Sequence, residues 1–185
     1  MKVVGIGGTL REGSTTERLV GAVLDACARR GAQTELFGGA ILRTLPHFNP
    51  ESPERSAAEQ QLVEAVRACD ALVIGSPGYH GGVSGLVKNA IDLLEDLRTD
   101  ARPYFDGRPV ALIVSAAGWQ ATGVTLAALR GIVHAMRGWP TPLGLAINSI
   151  AQKPFAPDGS LGDAEIASAV EAQAHQIMTF GKISA

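Results

Sequence analysis

Short, wholly apolar runs recur along this chain between longer segments of helical spacing, and that alternation restricts the fold more than any other feature of the sequence. Lys2 to Gly8 is a β-branched run closed by glycines, Ala71 to Gly75 is a second apolar run, and Pro109 to Ser115 is a third. Runs without polar alternation suit strands buried on both faces, as in the middle of a parallel sheet. Gln33 to Phe37 predicts a brief alternating strand and Leu143 to Ile147 a last one. From Thr15 to Arg30, the residues Leu19, Val20, Val23, Leu24 and Cys27 recur three and four apart, and Gly31 follows as a helix stop. Ala57 to Ala68, Gly85 to Leu97, Thr122 to Met136 and Asp163 to Met178 are helical by the same criterion, the last with Asp163 as N-cap. The stretch through Pro46, Pro50 and Pro53 predicts a long loop. Five strands alternating with helices predict an α/β architecture, a doubly wound parallel sheet with helices on both faces and right-handed crossovers. Ligands in such sheets lie beyond the carboxyl ends of the strands, so the functional loops are expected after the runs at Lys2, Ala71 and Pro109.

At 185 residues and 46% hydrophobic content, the chain suits one compact domain over residues 1–185, with no repeat and no linker that would divide it. A formal net charge of −2 offers no basic excess to attract nucleic acid or an anionic membrane, and neither is expected as a partner. Cys27 and Cys69 both fall on apolar helix faces, which predicts buried thiols in a reducing compartment rather than a disulfide. The first apolar run is too short for a signal segment or a membrane span, so the cytoplasm is the expected location. His47, His80, His134 and His175 show no paired ligand spacing, and no metal site is expected. A hydrolase elbow of the Gly-x-Ser-x-Gly kind is missing after every strand.

The loop after the first strand reads Gly7-Gly8-Thr9-Leu10-Arg11-Glu12-Gly13-Ser14-Thr15-Thr16 and runs straight into a helix. Unpaired backbone N–H groups and the helix dipole favour an anion there. Hydroxyls of Thr9, Ser14, Thr15 and Thr16 add donors, and the Arg11 guanidinium can hold a phosphate through two parallel bonds. That donor set suits a terminal phosphate monoester; the glycines match neither a dinucleotide fingerprint nor a P-loop. The plainer alternative is that Ser14 or Thr15 only caps the helix and Arg11 is a solvated surface residue.

The loop after the second long run is Gly75-Ser76-Pro77-Gly78-Tyr79-His80-Gly81-Gly82-Val83-Ser84-Gly85-Leu86-Val87-Lys88-Asn89-Ala90-Ile91-Asp92. Together with the Gly-x-x-Arg-x-x-Ser pattern of the first loop and the order of elements along nearly the whole chain, this string resembles the signature of the NAD(P)H-dependent FMN reductases. The resemblance implies a flavodoxin-like five-stranded sheet of order 2-1-3-4-5 and an oxidoreductase that transfers hydride from NADPH or NADH to FMN. It implies that Thr9, Arg11, Ser14, Thr15 and Thr16 bind the FMN phosphate, and that Pro77, Gly78, Tyr79, His80 and Gly81, with Ser115 and Gly118 of the next loop, line the flavin. Trp119 and Gln120 then fall near the nicotinamide or substrate, with no catalytic side chain required because the flavin carries the hydride. A homodimer or homotetramer is implied, as is a possible partner monooxygenase that takes reduced flavin.

Several readings stay open at this level. Tyr79 packs at the sheet edge or against the ligand, His80 is a site residue or a turn residue, and Lys88 and Asp92 pair on one helix or across an interface. Trp119 covers the flavin or seals a subunit contact. The acceptor is free flavin, a quinone, an azo compound, a metal oxyanion or a biosynthetic intermediate, and a flavodoxin-type electron carrier is the rival from another class.

Overall fold

The computed structural model describes residues 1–183. In chain order the elements are β1 (Lys2–Gly7), α1 (Thr15–Ala28), β2 (Gln33–Phe37), α2 (Gly39–Leu42), α3 (Ala57–Arg67), β3 (Ala71–Tyr79), β4 (Gly82–Val83), α4 (Gly85–Asp92), β5 (Pro109–Ala116), α5 (Trp119–Ala135), β6 (Trp139–Asn148) and α6 (Ala164–Ile183). The main sheet has the order β2-β1-β3-β5-β6 and all its pairs are parallel. Setting aside the two-residue β4, this is the flavodoxin-like order 2-1-3-4-5 that the sequence led one to expect.

Successive side chains of a strand face opposite sides, so each apolar run feeds two cores. Val4, Ile6, Leu72, Ile74, Val110 and Leu112 pack with Leu62 and Val66 of α3 and Leu129 and Val133 of α5. Val3, Val73, Ala111 and Ile113 pack on the other face with Leu19, Val20 and Val23 of α1 and Ile166, Val170 and Ile177 of α6. These residues are almost completely buried. Truncating one of them, such as Ile74 to Ala, is expected to cost about 2–5 kcal/mol.

The structure departs from the sequence reading at several ends. β3 continues four residues past Gly75, because β1 stops at the Gly7–Gly75 pair while β5 goes on to pair with Ser76 and Pro77. A proline lacks the ladder donor, and Pro77 is tolerated where β3 has lost its β1 neighbour and become an edge. β6 likewise starts at Trp139 rather than Leu143, since Pro140 and Pro142 lie on the outermost strand. α5 starts at Trp119 rather than Thr122, and α1 and α3 stop one or two residues early. The helix expected from Gly85 to Leu97 is α-helical to Asp92 and tightens into a 3₁₀ turn over Leu93–Leu97. Asp163 does cap α6, accepting from the amides of Glu165 and Ile166.

Candidate functional site

Three connections meet at the carboxyl edge of the sheet around a cleft of about 510 Å³. Its wall is formed by Thr9, Arg11, Ser14, Thr15 and Thr16 from the β1–α1 connection, Pro77, Gly78, Tyr79 and His80 from the end of β3, and Ser115, Ala116 and Ala117 from the end of β5. Ser149, the residue after β6, completes it. A cleft of this size is in the range of small-molecule sites.

At the α1 end of the cleft, Ser14 is the N-cap of α1 and its Oγ accepts the Glu17 amide at 3.3 Å. Helix geometry leaves the Thr15 and Thr16 amides without intrahelical acceptors. The Ser14 N–H has no acceptor among the described residues either. Thr9 folds the loop locally, its Oγ1 accepting the Arg11 amide at 3.1 Å. The Arg11 side chain is exposed at the cleft wall and forms no hydrogen bond or ion pair with the protein among the described residues. Ser14 therefore caps the helix and also lines the cleft, so the two readings of this residue hold together.

At the opposite end, β3 and β4 form a hairpin in which Tyr79 pairs with Gly82. His80 and Gly81 make its two-residue turn, with φ of 53° and 77°. Two positive φ values in a two-residue loop are the type I′ geometry that matches strand twist, and His adopts that region more readily than most residues. His80 is thus a turn residue that also faces the cleft. The base of the hairpin is closed by Ser76, whose buried Oγ donates to Pro77 O at 2.8 Å and accepts the Ser84 amide at 3.0 Å. Ser84 then caps α4 by accepting the Val87 amide. Asn89, one turn further, accepts the Phe48 amide and donates to Pro46 O, which ties the proline-rich loop to α4. Lys88 and Asp92 pair on the surface of α4 at 2.6 Å.

The cleft gathers ten of the fourteen site residues expected from sequence: Thr9, Arg11, Ser14, Thr15, Thr16, Pro77, Gly78, Tyr79, His80 and Ser115. Gly81, Gly118, Trp119 and Gln120 stand outside its wall. Trp119 and Gln120 belong to the first turn of α5 rather than to a loop, and Gly118 is the N-cap. Ser149 carried no motif; its signal was its place directly after the strand next to β5, where a parallel sheet puts another carboxyl end. Trp119 is 58% exposed and Tyr79 59%, and with Leu10 and Ile150 they add exposed apolar side chains on the carboxyl-edge connections.

The residues fit a flavin mononucleotide. Amides, hydroxyls and a guanidinium with no carboxylate in the wall form an anion cradle, and Pro77, Gly78 and Tyr79 give a surface for a flat ring. A doubly wound parallel sheet of this order defines the flavodoxin-like class of proteins. Within that class the chain belongs to the NADPH-dependent FMN reductase family, whose model matches residues 1–152.

Similarity to individual proteins agrees with that membership. An FMN-dependent NADPH-azoreductase of Staphylococcus aureus is 33% identical over 135 residues, covering 71% of this chain. The chain spans 66% of that relative's length, just under two thirds. Among solved structures, the flavoenzyme NAD(P)H:(acceptor) oxidoreductase FerB from Paracoccus denitrificans superposes with a TM-score of 0.75 at 24% identity over 96% of this chain and 97% of its own. An NADH:FMN oxidoreductase, EMOB in its apo form, superposes at 0.68 with 20% identity over 96% and 89%. These two superpositions speak for the fold.

Proposed function

We propose that this chain holds FMN in the carboxyl-edge cleft, takes electrons from NADPH or NADH, and passes them to a small aromatic acceptor such as a quinone or an azo compound. The observation that carries this reading is the opening of the Arg11-bearing loop and the Pro77–His80 segment into one cleft without a carboxylate. When bound, FMN supplies the hydride acceptor, so no side chain is asked to act as acid or base. Thr9, Arg11, Ser14, Thr15 and Thr16 would hold the phosphate. Pro77, Gly78, Tyr79 and His80 would orient the ring, Gly81 would allow the hairpin turn beside it, and Ser115 and Gly118 would approach from β5. Trp119 and Gln120 lie just beyond, where the acceptor or the nicotinamide enters. The exposed rings of Tyr79 and Trp119 favour a flat aromatic acceptor over a metal oxyanion, and the azoreductase relative points the same way.

The exposed apolar side chains of Leu10, Tyr79, Trp119, Val124 and Ile150 support a homodimer or homotetramer. The free, buried Cys27 and Cys69 support a cytoplasmic location. Among the described residues no helix is long and apolar enough to cross a membrane, and no group of acidic, His or Cys side chains could hold a metal ion.

The test is a visible spectrum with FMN, followed by NADPH and NADH oxidation with azo, quinone and free-FMN acceptors. Fast oxidation that needs an azo or quinone acceptor is the expected result. Oxidation that requires only excess free FMN would instead assign the chain to supplying reduced flavin to a partner monooxygenase. Absence of both flavin binding and coenzyme oxidation would sink the reading altogether.

A further inference from the structure

Two helices of this protein begin with the same four-residue pattern and use it differently. α3 starts Ser56-Ala57-Ala58-Glu59, and the capping box is complete: Ser56 Oγ accepts the Glu59 amide, and Glu59 Oε2 accepts the Ser56 amide at 2.6 Å. A box of this kind satisfies both amides and lays a carboxylate across the start of the helix. α1 starts Ser14-Thr15-Thr16-Glu17, and only half of the box forms. Ser14 Oγ accepts the Glu17 amide, but the Glu17 carboxylate turns away and accepts the Gly39 amide at 2.8 Å, at the start of α2.

The space around that carboxylate is built for it. A Cβ on Gly8 would come within 2.7 Å of Glu17 Oε2, and one on Gly38 within 2.9 Å of Glu17 Cδ. A Cβ on Gly39 would come within 1.9 Å of the Thr9 carbonyl oxygen, so Thr9 rests directly on the turn that Glu17 holds. Gly8 also has a φ of 142°, a conformation that other residues rarely take. Three glycines thus make room for one carboxylate behind the loop, while Glu17 itself is absent from the cleft wall.

We propose that Glu17 is a positioning residue for the phosphate end of the cleft. By bonding the Gly39 amide it seats the β1–α1 connection against the β2–α2 turn and fixes Thr9. By not bonding the Ser14 amide it leaves that donor, with those of Thr15 and Thr16, at the open start of α1 for a phosphate. The proposal rests on the reading that the cleft takes FMN, and it names what in this chain lets it select a phosphorylated flavin.

FMN and riboflavin differ only in the phosphate, so their relative affinity reads this end of the cleft and a general loss of structure does not mimic it. Fluorescence titration of the wild-type chain with each flavin sets the reference. Glu17→Ala is expected to weaken FMN binding roughly 10-fold, the scale of one charge-assisted hydrogen bond, and to leave riboflavin affinity within about twofold. Glu17→Gln, whose amide oxygen still accepts from Gly39, is expected to keep the wild-type preference. Glu17→Asp stops one methylene short of Gly39 and is expected to behave as the alanine variant does, which keeps the question answerable if Glu17→Ala fails to fold. An unchanged FMN-to-riboflavin ratio in Glu17→Ala or Glu17→Asp, an equal loss of both flavins, or a Glu17→Gln as weak as alanine each overturns the proposal alone. A wild-type chain that binds neither flavin overturns the cofactor reading and this proposal with it.

Discussion

The two edges of the sheet each carry an arginine, and the protein uses them in opposite ways. At the amino edge Arg108 is fully buried, donating to the carbonyls of Cys69 and Arg67 at 2.9 Å each and to that of Tyr104. It closes the turn from α3 into β3, with each of its three side-chain nitrogens donating to a backbone carbonyl. At the carboxyl edge Arg11 is exposed, with no protein partner for its guanidinium among the described residues. Folding completes the hydrogen bonding of one edge and leaves donors at the other, and the unfinished edge is where a ligand is needed. Burial and partner count, rather than residue type, separate the structural arginine from the one proposed to bind a ligand.

Exchanging each arginine for alanine is the strongest way to break that contrast. Arg108→Ala leaves three carbonyls and a cavity behind, and is expected to lower unfolding stability by roughly 3–5 kcal/mol in urea denaturation. A loss under about 1 kcal/mol, the ordinary scale of a surface change, would mean that the amino edge is not held by this side chain. The cysteines near the same edge sharpen the picture. Burial pushes the Cys27 and Cys69 thiols up to about 11 from an ordinary 9.0, so the native thiolate is suppressed roughly 100-fold at pH 8. Both should resist a thiol-specific dye until the chain unfolds. Because the folded state favours the neutral thiol, this stabilisation is complete below pH 9 and is lost as pH rises from 9.0 toward about 11. Rapid native labelling at pH 8 would show that the edge opens.

Arg11→Ala should do the reverse of Arg108→Ala, weakening FMN binding by roughly 1.5–3 kcal/mol with no change in the melting temperature of the apo chain. Unchanged FMN affinity would remove Arg11 from the site. The smallest effect is expected from Ser56→Ala, which breaks the closed box of α3 at a cost of about 1 kcal/mol in stability and leaves FMN affinity alone. A fall in FMN affinity there would deny the distinction between the two helix starts.

The sheet was legible where strands are continuous apolar runs, as at β1 and β5, because burial on both faces writes itself directly into residue type. It was less legible where a strand becomes an edge. Ser76-Pro77-Gly78 looks like a loop because proline and glycine disfavour sheet interiors, yet past Gly75 the β1 neighbour is gone and the penalty disappears. The same holds for Trp139-Pro140-Thr141-Pro142 at the start of β6. Trp119 was placed in a loop because Gly118 caps α5 without any side-chain hydrogen bond, so the helix starts without a signal in the sequence. The cleft wall drawn from residues 9–16 could be read because its residues sit in one uninterrupted stretch. Ser149 and Glu17 could not, since each matters through a contact made across the fold, Ser149 to the carbonyl of Ala116 and Glu17 to the amide of Gly39.

The hairpin that follows β3 has a mechanical side. Tyr79 and His80 are not carried on a hinged flap, because they continue the strand whose earlier residues form the centre of the sheet, and Ser76 clips the two ends of the hairpin together at its root. Ring-bearing wall and buried core are one stiff rod. A substitution near Ala71 that slid β3 along its neighbours by a single residue would invert which side chains face each layer, and would carry the mouth of the cleft with it by one strand step, about 3.3 Å. Substitutions that tune this cleft without disturbing the core therefore fall to the connections at the start of α1 and the end of β6 rather than to the rod.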